Sequence, residues 1–334
     1  MNRGDEILLD IKSTPEYLDL LNKGVAREIQ VAVQYMLQHS KMEKLLRKMI
    51  PENILLDKTT YDQVGKVLRE FAIQEMKHLG KIMERIYILG GSEASTKPSH
   101  IEIGNSLREF GELGLKAEKE ALELYRKIID MAGKLGDWET REMFEHIYED
   151  EEKHFLQFQD YSEIEGEPEF PEVPEEEFQA IYTEDWIALL NKAVAGEFSA
   201  IVQYTNQHEK ANAELNRRKK TALEVITNKT KPNVFSDLLR PIFLQEMEHL
   251  EKIAERIYEI KKEAIANVEP LPNIGGEVDD WIKNDRDAED YAIKLYRQII
   301  NKALEINDVR TRLIFEHIID QEEEHFWRFD DFVP

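Results

Sequence analysis

Apolar residues recur every three or four positions along most of the chain, and the faces between them are rich in Glu, Lys and Arg. Leu20, Leu21, Val25, Ile29, Val33 and Met36 form one such stripe, with the spacing of a helix that buries one side. Strand-like alternation does not persist, so the pattern predicts an all-α protein. Three more segments of this kind follow, at 72–89, 117–129 and 145–155. Pro51, Gly90 with Gly91, Pro98, and Gly133 with Gly136 fall between them, where residues that end helices belong.

Every segment then returns. AIQEMKHLGKIMERIYIL at 72–89 reappears as FLQEMEHLEKIAERIYEI at 243–260, an offset of 171 residues that also relates 117–129 to 288–300 and 145–155 to 316–326. The first segment, 20–35, reappears at 189–204 with an offset of 169, so the second copy carries two extra residues in the loop that follows. A duplication on this scale predicts two four-helix bundles in tandem. Residues 163–178, EIEGEPEFPEVPEEEF, combine three Pro with a run of like charge and read as an extended, solvated linker. The expected organisation is an arm at 1–15, a bundle at 16–162, a linker at 163–183 and a second bundle at 184–334.

Composition narrows the chemistry. The 334 residues contain no Cys, which removes disulfides, iron–sulfur clusters, rubredoxin-type iron and thiol catalysis, and leaves His and carboxylates to hold any metal. With 68 acidic against 44 basic residues the formal charge is −24, which repels phosphate backbones and anionic lipid and concentrates cations. Neither nucleic acid nor a membrane is an expected partner. The first residues lack the features of a secretion signal and no apolar run reaches 18 residues, so a cytoplasmic protein is expected.

Glu75 and His78 are three residues apart on a helix, which puts both on one face about 4.5 Å apart along the axis. Glu151 and His154 repeat the arrangement on the fourth helix, while Glu28 on the first and Glu118 on the third sit among apolar neighbours. Four Glu and two His should thus converge inside the bundle. An apolar interior holds four carboxylates only with compensating positive charge, and two divalent cations supply it. Oxygen with imidazole nitrogen suits iron or manganese without choosing between them. The second copy offers the same set in Glu197, Glu246, His249, Glu289, Glu322 and His325.

One Glu from each of two helices with Glu-x-x-His from each of the other two resembles the ferritin-like di-iron proteins, a pattern given as general for that group. Within it the chain is similar to bacterioferritin, through the Glu followed seven residues later by Tyr (Tyr35, Tyr204), then QEMKHL, ERIYILGG and the acidic fourth helix. The resemblance spans both copies. It implies that the Glu of the second helix and the first Glu of the fourth bridge two metals, that the other Glu are terminal, and that each His caps one metal. It further implies haem held by Met76 and Met247, for which filling of core gaps is the plain alternative. Rubrerythrins are related, but Ala121 and Ala292 stand where they place a further Glu, and no rubredoxin module is present.

The implied activity is oxidation of Fe(II) by O2 or H2O2. A peroxidase fed by an external electron donor, a di-manganese catalase, and a non-enzymatic iron store or carrier remain as alternatives. Tyr35 and Tyr204 share a face with the first-helix Glu two turns away, where they either bond a ligand, donate an electron or pack in the core. His39 lies about 16 Å along the helix from Glu28, too far for the same metal, and reads as packing. Arg217, Arg218, Lys219 and Lys220 read as a solubilising surface. Pro241, five residues before Glu246, predicts that the second helix of the second copy starts late or kinks. Gln321 in place of Asp150 predicts inequivalent centres. No room for a fifth helix follows either fourth helix, so a compact monomer or small oligomer, above all a dimer, is expected.

Overall fold

The computed structural model describes residues 13–48, 55–162, 182–217, 231–260, 262–265 and 272–333. Eight helices occupy them: α1 (Pro15–Lys48), α2 (Leu55–Ile88), α3 (Leu107–Leu135), α4 (Trp138–Ser162), α5 (Glu184–Arg217), α6 (Lys231–Glu259), α7 (Val278–Glu305) and α8 (Val309–Asp330). No strand occurs among the described residues. Most of the expected arm and linker, and the side chains of the basic run 217–220, lie outside them. Pro241 falls inside α6, which begins ten residues earlier at Lys231, so the helix does not start late. The proline removes one backbone donor within the helix.

The helix ends are chemically marked. The Ser106 side chain accepts a bond from the Glu109 N–H and caps α3, and Gly136 closes it in the left-handed region at φ 73°, where a residue without Cβ is at ease. Asp137 then opens α4 by accepting from the Thr140 N–H at 3.2 Å. The same carboxylate takes the Arg85 guanidinium at 2.5 Å, tying the end of α2 to the α3–α4 turn. Asp308 repeats both bonds in the second copy, with the Thr311 N–H at 3.1 Å and Arg256 at 2.8 Å. These buried charges are paired, which is what makes their burial tolerable.

The connection from α2 to α3 fixes the topology. It runs along α1: Ser95 N–H donates to Asn22, Ser99 N–H to the Ala26 carbonyl, and Gln38 and Lys41 donate to the carbonyls of Ile103 and Gly104. The chain therefore returns to the far end of the bundle before α3 begins, and α3 lies antiparallel to α1 with α4 antiparallel to α3. In the second copy Asn191 accepts from the Ile265 N–H and Gln203 from the Asn273 N–H, the same path. One long crossover per four helices is the ferritin-like arrangement.

The two bundles pack side by side through α1 and α2 against α5 and α6. The contact has an approximate two-fold relation, since equivalent pairs meet twice. The Lys41 ammonium lies 5.3 Å from the Tyr258 ring centre, and its counterpart Lys210 lies 5.9 Å from the ring of Tyr87, the counterpart of Tyr258. Other contacts are unique. His39 Nδ1 bonds the Gly65 carbonyl at 2.8 Å and its Nε2 faces Glu251 at 3.2 Å, while Arg69 donates to the other Glu251 oxygen at 3.1 Å. His39 is therefore a polar bridge between bundles, not the packing residue its sequence context suggests. Where Glu251 would have its counterpart stands Gly80, and a Cβ there would lie 2.7 Å from the Glu209 carboxylate.

Candidate metal centres

All twelve predicted Glu and His side chains come together, six in each bundle, and none is more than 2% exposed. Each cluster divides into two overlapping groups whose ligand atoms lie within 4.8 Å of one another. In the first bundle these are Glu28, Glu75, His78 and Glu151, and Glu75, Glu118, Glu151 and His154. Glu75 and Glu151 belong to both. Helix periodicity explains the convergence, because the i, i+3 spacing of each Glu-x-x-His turns both groups inward from α2 and α4.

The distances show which groups span the cluster. His78 Nδ1 lies 2.9 Å from Glu75, 3.2 Å from Glu151 and 3.9 Å from Glu28. His154 Nδ1 lies 2.9 Å from the other oxygen of Glu75, 3.1 Å from that of Glu151 and 4.0 Å from Glu118. In the second bundle His249 Nδ1 is 2.9 Å from Glu246, 2.9 Å from Glu322 and 3.7 Å from Glu197. His325 Nδ1 is 3.0 Å from Glu246 and 3.6 Å from Glu322, and Glu289 joins its group. One ring N–H can serve only one of the carboxylates around it, so the acceptors outnumber the donors.

The electrostatics follow from that crowding. Burial and repulsion from Glu151 and Glu75 raise the Glu28 and Glu118 carboxyls well above the usual range. Burial pushes Glu75 the same way, but His154 and His78 overcome it and hold Glu75 down at about 2. Burial alone would depress the imidazoles; the carboxylates around them instead drive His78 up to about 12, His154 to about 11 and His325 to about 9. The sites thus gather protons as a means of neutralising carboxylate charge, and cations can do the same work.

The outer ring nitrogens are held by acceptors. His154 Nε2 faces Gln74 at 3.4 Å, His249 Nε2 faces Gln321 at 3.1 Å, and His325 Nε2 faces Gln245 at 3.0 Å, whereas His78 Nε2 faces Asp150 at 3.5 Å. An acceptor on Nε2 keeps a proton there, so a cation that displaces the Nδ1 proton would meet the ring's lone pair. Asp150 and Gln321 occupy equivalent places, so the outer nitrogen of the second-helix His meets a carboxylate in one bundle and an amide in the other.

The predicted tyrosines have a defined place. The Tyr35 hydroxyl donates to Glu118, and that of Tyr204 donates to Glu289 at 2.5 Å. Two more were missed: Tyr125 donates to Glu28 and Tyr296 to Glu197. A signal existed, since Tyr125 follows Glu118 by seven residues as Tyr35 follows Glu28, and Tyr296 repeats it. Within each bundle the first and third helices therefore exchange reciprocal Tyr-to-Glu bonds. Met76 and Met247 are buried in one apolar cluster that includes residues of both bundles. His146 and His317, also repeated, are exposed.

Asp285 was missed as well. It is wholly buried on α7, where Gln203 and Gln207 donate to one oxygen at 2.7 and 2.9 Å and, among the described residues, the other oxygen has no hydrogen-bond partner. Burial pushes its carboxyl up to about 8 despite the two amides. The first copy has Gly114 there, and the Phe158 ring fills the space, with its nearest carbon 2.3 Å from where a Cβ would stand.

The ferritin-like domain family matches residues 18–165 and 223–333. Bacterioferritin of Rhodobacter capsulatus is 32% identical over 152 residues, covering 45% of this chain and 85% of that protein, and bacterioferritin of Brucella melitensis is 29% identical over 151 residues with the same coverage. Among solved structures, Desulfovibrio desulfuricans bacterioferritin, described with its di-iron site in different catalytic states, is 28% identical, with a TM-score of 0.39 and coverage of 48% of this chain and 83% of that one. The Rhodobacter capsulatus structure, described with a metal-free dinuclear site and haem iron, is 30% identical, with a TM-score of 0.38 and coverage of 45% and 84%. Such relatives span about one repeat of this chain, and the family matches it twice. The chain belongs to the ferritin-like family as two bacterioferritin-like repeats in tandem.

Proposed function

We propose that each bundle binds two iron ions and oxidises Fe(II) with O2 or H2O2. The excess of buried acceptors over donors in each cluster is the observation that carries this reading, and a set of carboxylate oxygens with two imidazole nitrogens fits iron. Glu75 and Glu151 would bridge, each reaching toward both imidazoles, with Glu28 and His78 completing one ion and Glu118 and His154 the other. Glu246 and Glu322 would bridge in the second bundle, with Glu197 and His249 on one side and Glu289 and His325 on the other. Two Fe(II) held together supply two electrons to one oxidant, which avoids a one-electron oxygen product.

The protein's own part is to hold this geometry dry. The acceptors on the outer ring nitrogens fix the imidazoles, and the tyrosine hydroxyls fix the terminal carboxylates. Tyr35 and Tyr204 are accordingly assigned as positioning residues for Glu118 and Glu289. Met76 and Met247, two buried thioethers on α2 and α6, would be the residues to hold a haem, supplying sulfur to its iron. A Soret shift on haem addition that is lost in Met76→Leu tests that role.

Anaerobic titration should give about four Fe(II) per chain. Glu75→Ala should abolish the first centre alone and Glu246→Ala the second alone. Binding and oxidation at the wild-type level in both variants would overturn the assignment. Metal content after aerobic purification separates iron from manganese, and steady H2O2 turnover that requires an added electron donor would replace this reading with a peroxidase. Light scattering should show a monomer or closed dimer; a particle of about 12 chains with a mineral core would restore the storage reading.

A further inference from the structure

The two bundles differ above their centres. Between α5 and α7 a cavity of about 200 Å³ has all four glutamates of the second centre in its lining. Its walls join Gly196, Ala200, Ala292 and Leu295 with the polar Asn273 and Asn284, and Tyr291, 51% exposed, lines it as well. The matching depression in the first bundle, about 140 Å³, touches none of the six candidate ligands.

Two substitutions bear most directly on the difference, beside the exchange of Gln30 for Ser199. Arg27 and Glu120 of the first copy correspond to Gly196 and Tyr291 of the second. The Arg27 guanidinium pairs with Glu120 at 2.5 Å and also donates to Gln30 at 2.7 Å, closing the gap between α1 and α3. At Gly196 a Cβ would find nothing within 4 Å. Removal of the arginine thus leaves the first step of its path open, with no side chain of the described residues within 4 Å of that point.

Size and lining indicate what fits. An apolar cavity of about 150 Å³ can hold a benzene-sized molecule, so about 200 Å³ far exceeds the needs of H2O2. Alanines and leucine offer contact to a hydrocarbon group, while the carboxylate end faces the metals. Resting on the di-iron reading above, we propose that the second centre, and not the first, accepts a small organic hydroperoxide. The O–O bond of ROOH breaks as two Fe(II) become two Fe(III), two protons come from solvent, and ROH and water are released.

The test separates the pocket from the iron chemistry. On the metal-free chain, calorimetric titration with 2-phenyl-2-propanol, the alcohol product of cumene hydroperoxide, should show one molecule bound per chain. Gly196→Arg combined with Tyr291→Glu should abolish that binding, and Arg27→Gly combined with Glu120→Tyr should raise it to two. Circular dichroism of each variant checks the fold, and the open space at 196 makes the first pair tolerable. On the iron-loaded chain, cumene hydroperoxide should oxidise the second centre at least tenfold faster than the first, with Glu75→Ala and Glu246→Ala assigning the phases. Absence of alcohol binding, binding indifferent to the Gly196→Arg pair, or equal rates at both centres would each overturn the proposal, while oxidation of Fe(II) by O2 would stand untouched.

Discussion

Replacing Asp285 by Asn isolates the cost of one buried carboxyl. Its pKa rises from the ordinary aspartate value of 3.8 to about 8 on folding, because burial disfavours the anion. A carboxyl shifted upward binds more protons folded than unfolded between those two values, so its contribution to stability falls as pH rises through that window and is constant above it. At about 1.4 kcal/mol per pH unit the whole window has a ceiling of about 6 kcal/mol, of which about 4 kcal/mol lies above pH 5; relaxation of the helices and water reaching the anion should reduce that part to about 2–3 kcal/mol. Asn keeps an oxygen for Gln203 and Gln207 and carries no charge at any pH. Asp285→Asn should therefore gain about 2–3 kcal/mol on the wild type between pH 5 and pH 9. Urea unfolding of the metal-free chain measures this, with the buried Trp281 four residues away as fluorescence probe. Every other titrating group is common to both proteins, so the change in their difference between the two pH values belongs to position 285. A difference that stays constant from pH 5 to pH 9 would refute the argument.

Gly114→Ala should destabilise the first bundle by about 1–3 kcal/mol in thermal melts, because the Phe158 ring occupies the space of the new methyl group. Tyr125→Phe removes the donor to Glu28 and should weaken Co2+ binding at the first centre about tenfold while leaving the second centre unchanged, as read by the visible spectrum of Co2+. Glu251→Ala strands His39 and Arg69 at the contact between bundles; a loss of about 1–2 kcal/mol in chemical unfolding, smaller at high salt, is the expected outcome.

The candidate ligands were legible because helical spacing alone decides which side chains share a face, and duplication printed the same six residue types twice. The bundle class followed from periodicity for the same reason. What sequence did not reveal depends on partners far away along the chain. Arg27 and Glu120 are ordinary surface charges until α1 and α3 bring them together, 93 residues apart. Tyr125 follows Glu118 by seven residues, but that spacing does not name Glu28 on α1 as the partner of its hydroxyl. His39 reads as packing while only its own helix is considered, because its partner Glu251 comes from the other bundle. Asp285 looks like an exposed acid in a charged stretch, and its burial becomes visible only once the glutamines of α5 are set against it.

The contact between bundles would be self-complementary if two identical chains formed it, and any substitution there would occur at both ends. Within one polypeptide each end can change alone. Gly80 makes room for Glu209, whereas its counterpart Glu251 engages His39 and Arg69, so one surface has acquired a hollow and the other a charge. The halves are no longer interchangeable. A polypeptide carrying the first half twice would lose the anion that His39 and Arg69 require, and one carrying the second half twice would drive a carboxylate into the space of Glu209. Tethering also makes their encounter intramolecular, so dilution does not separate them as it would two free subunits. One polypeptide thus joins two unlike halves, free to give its two centres different surroundings.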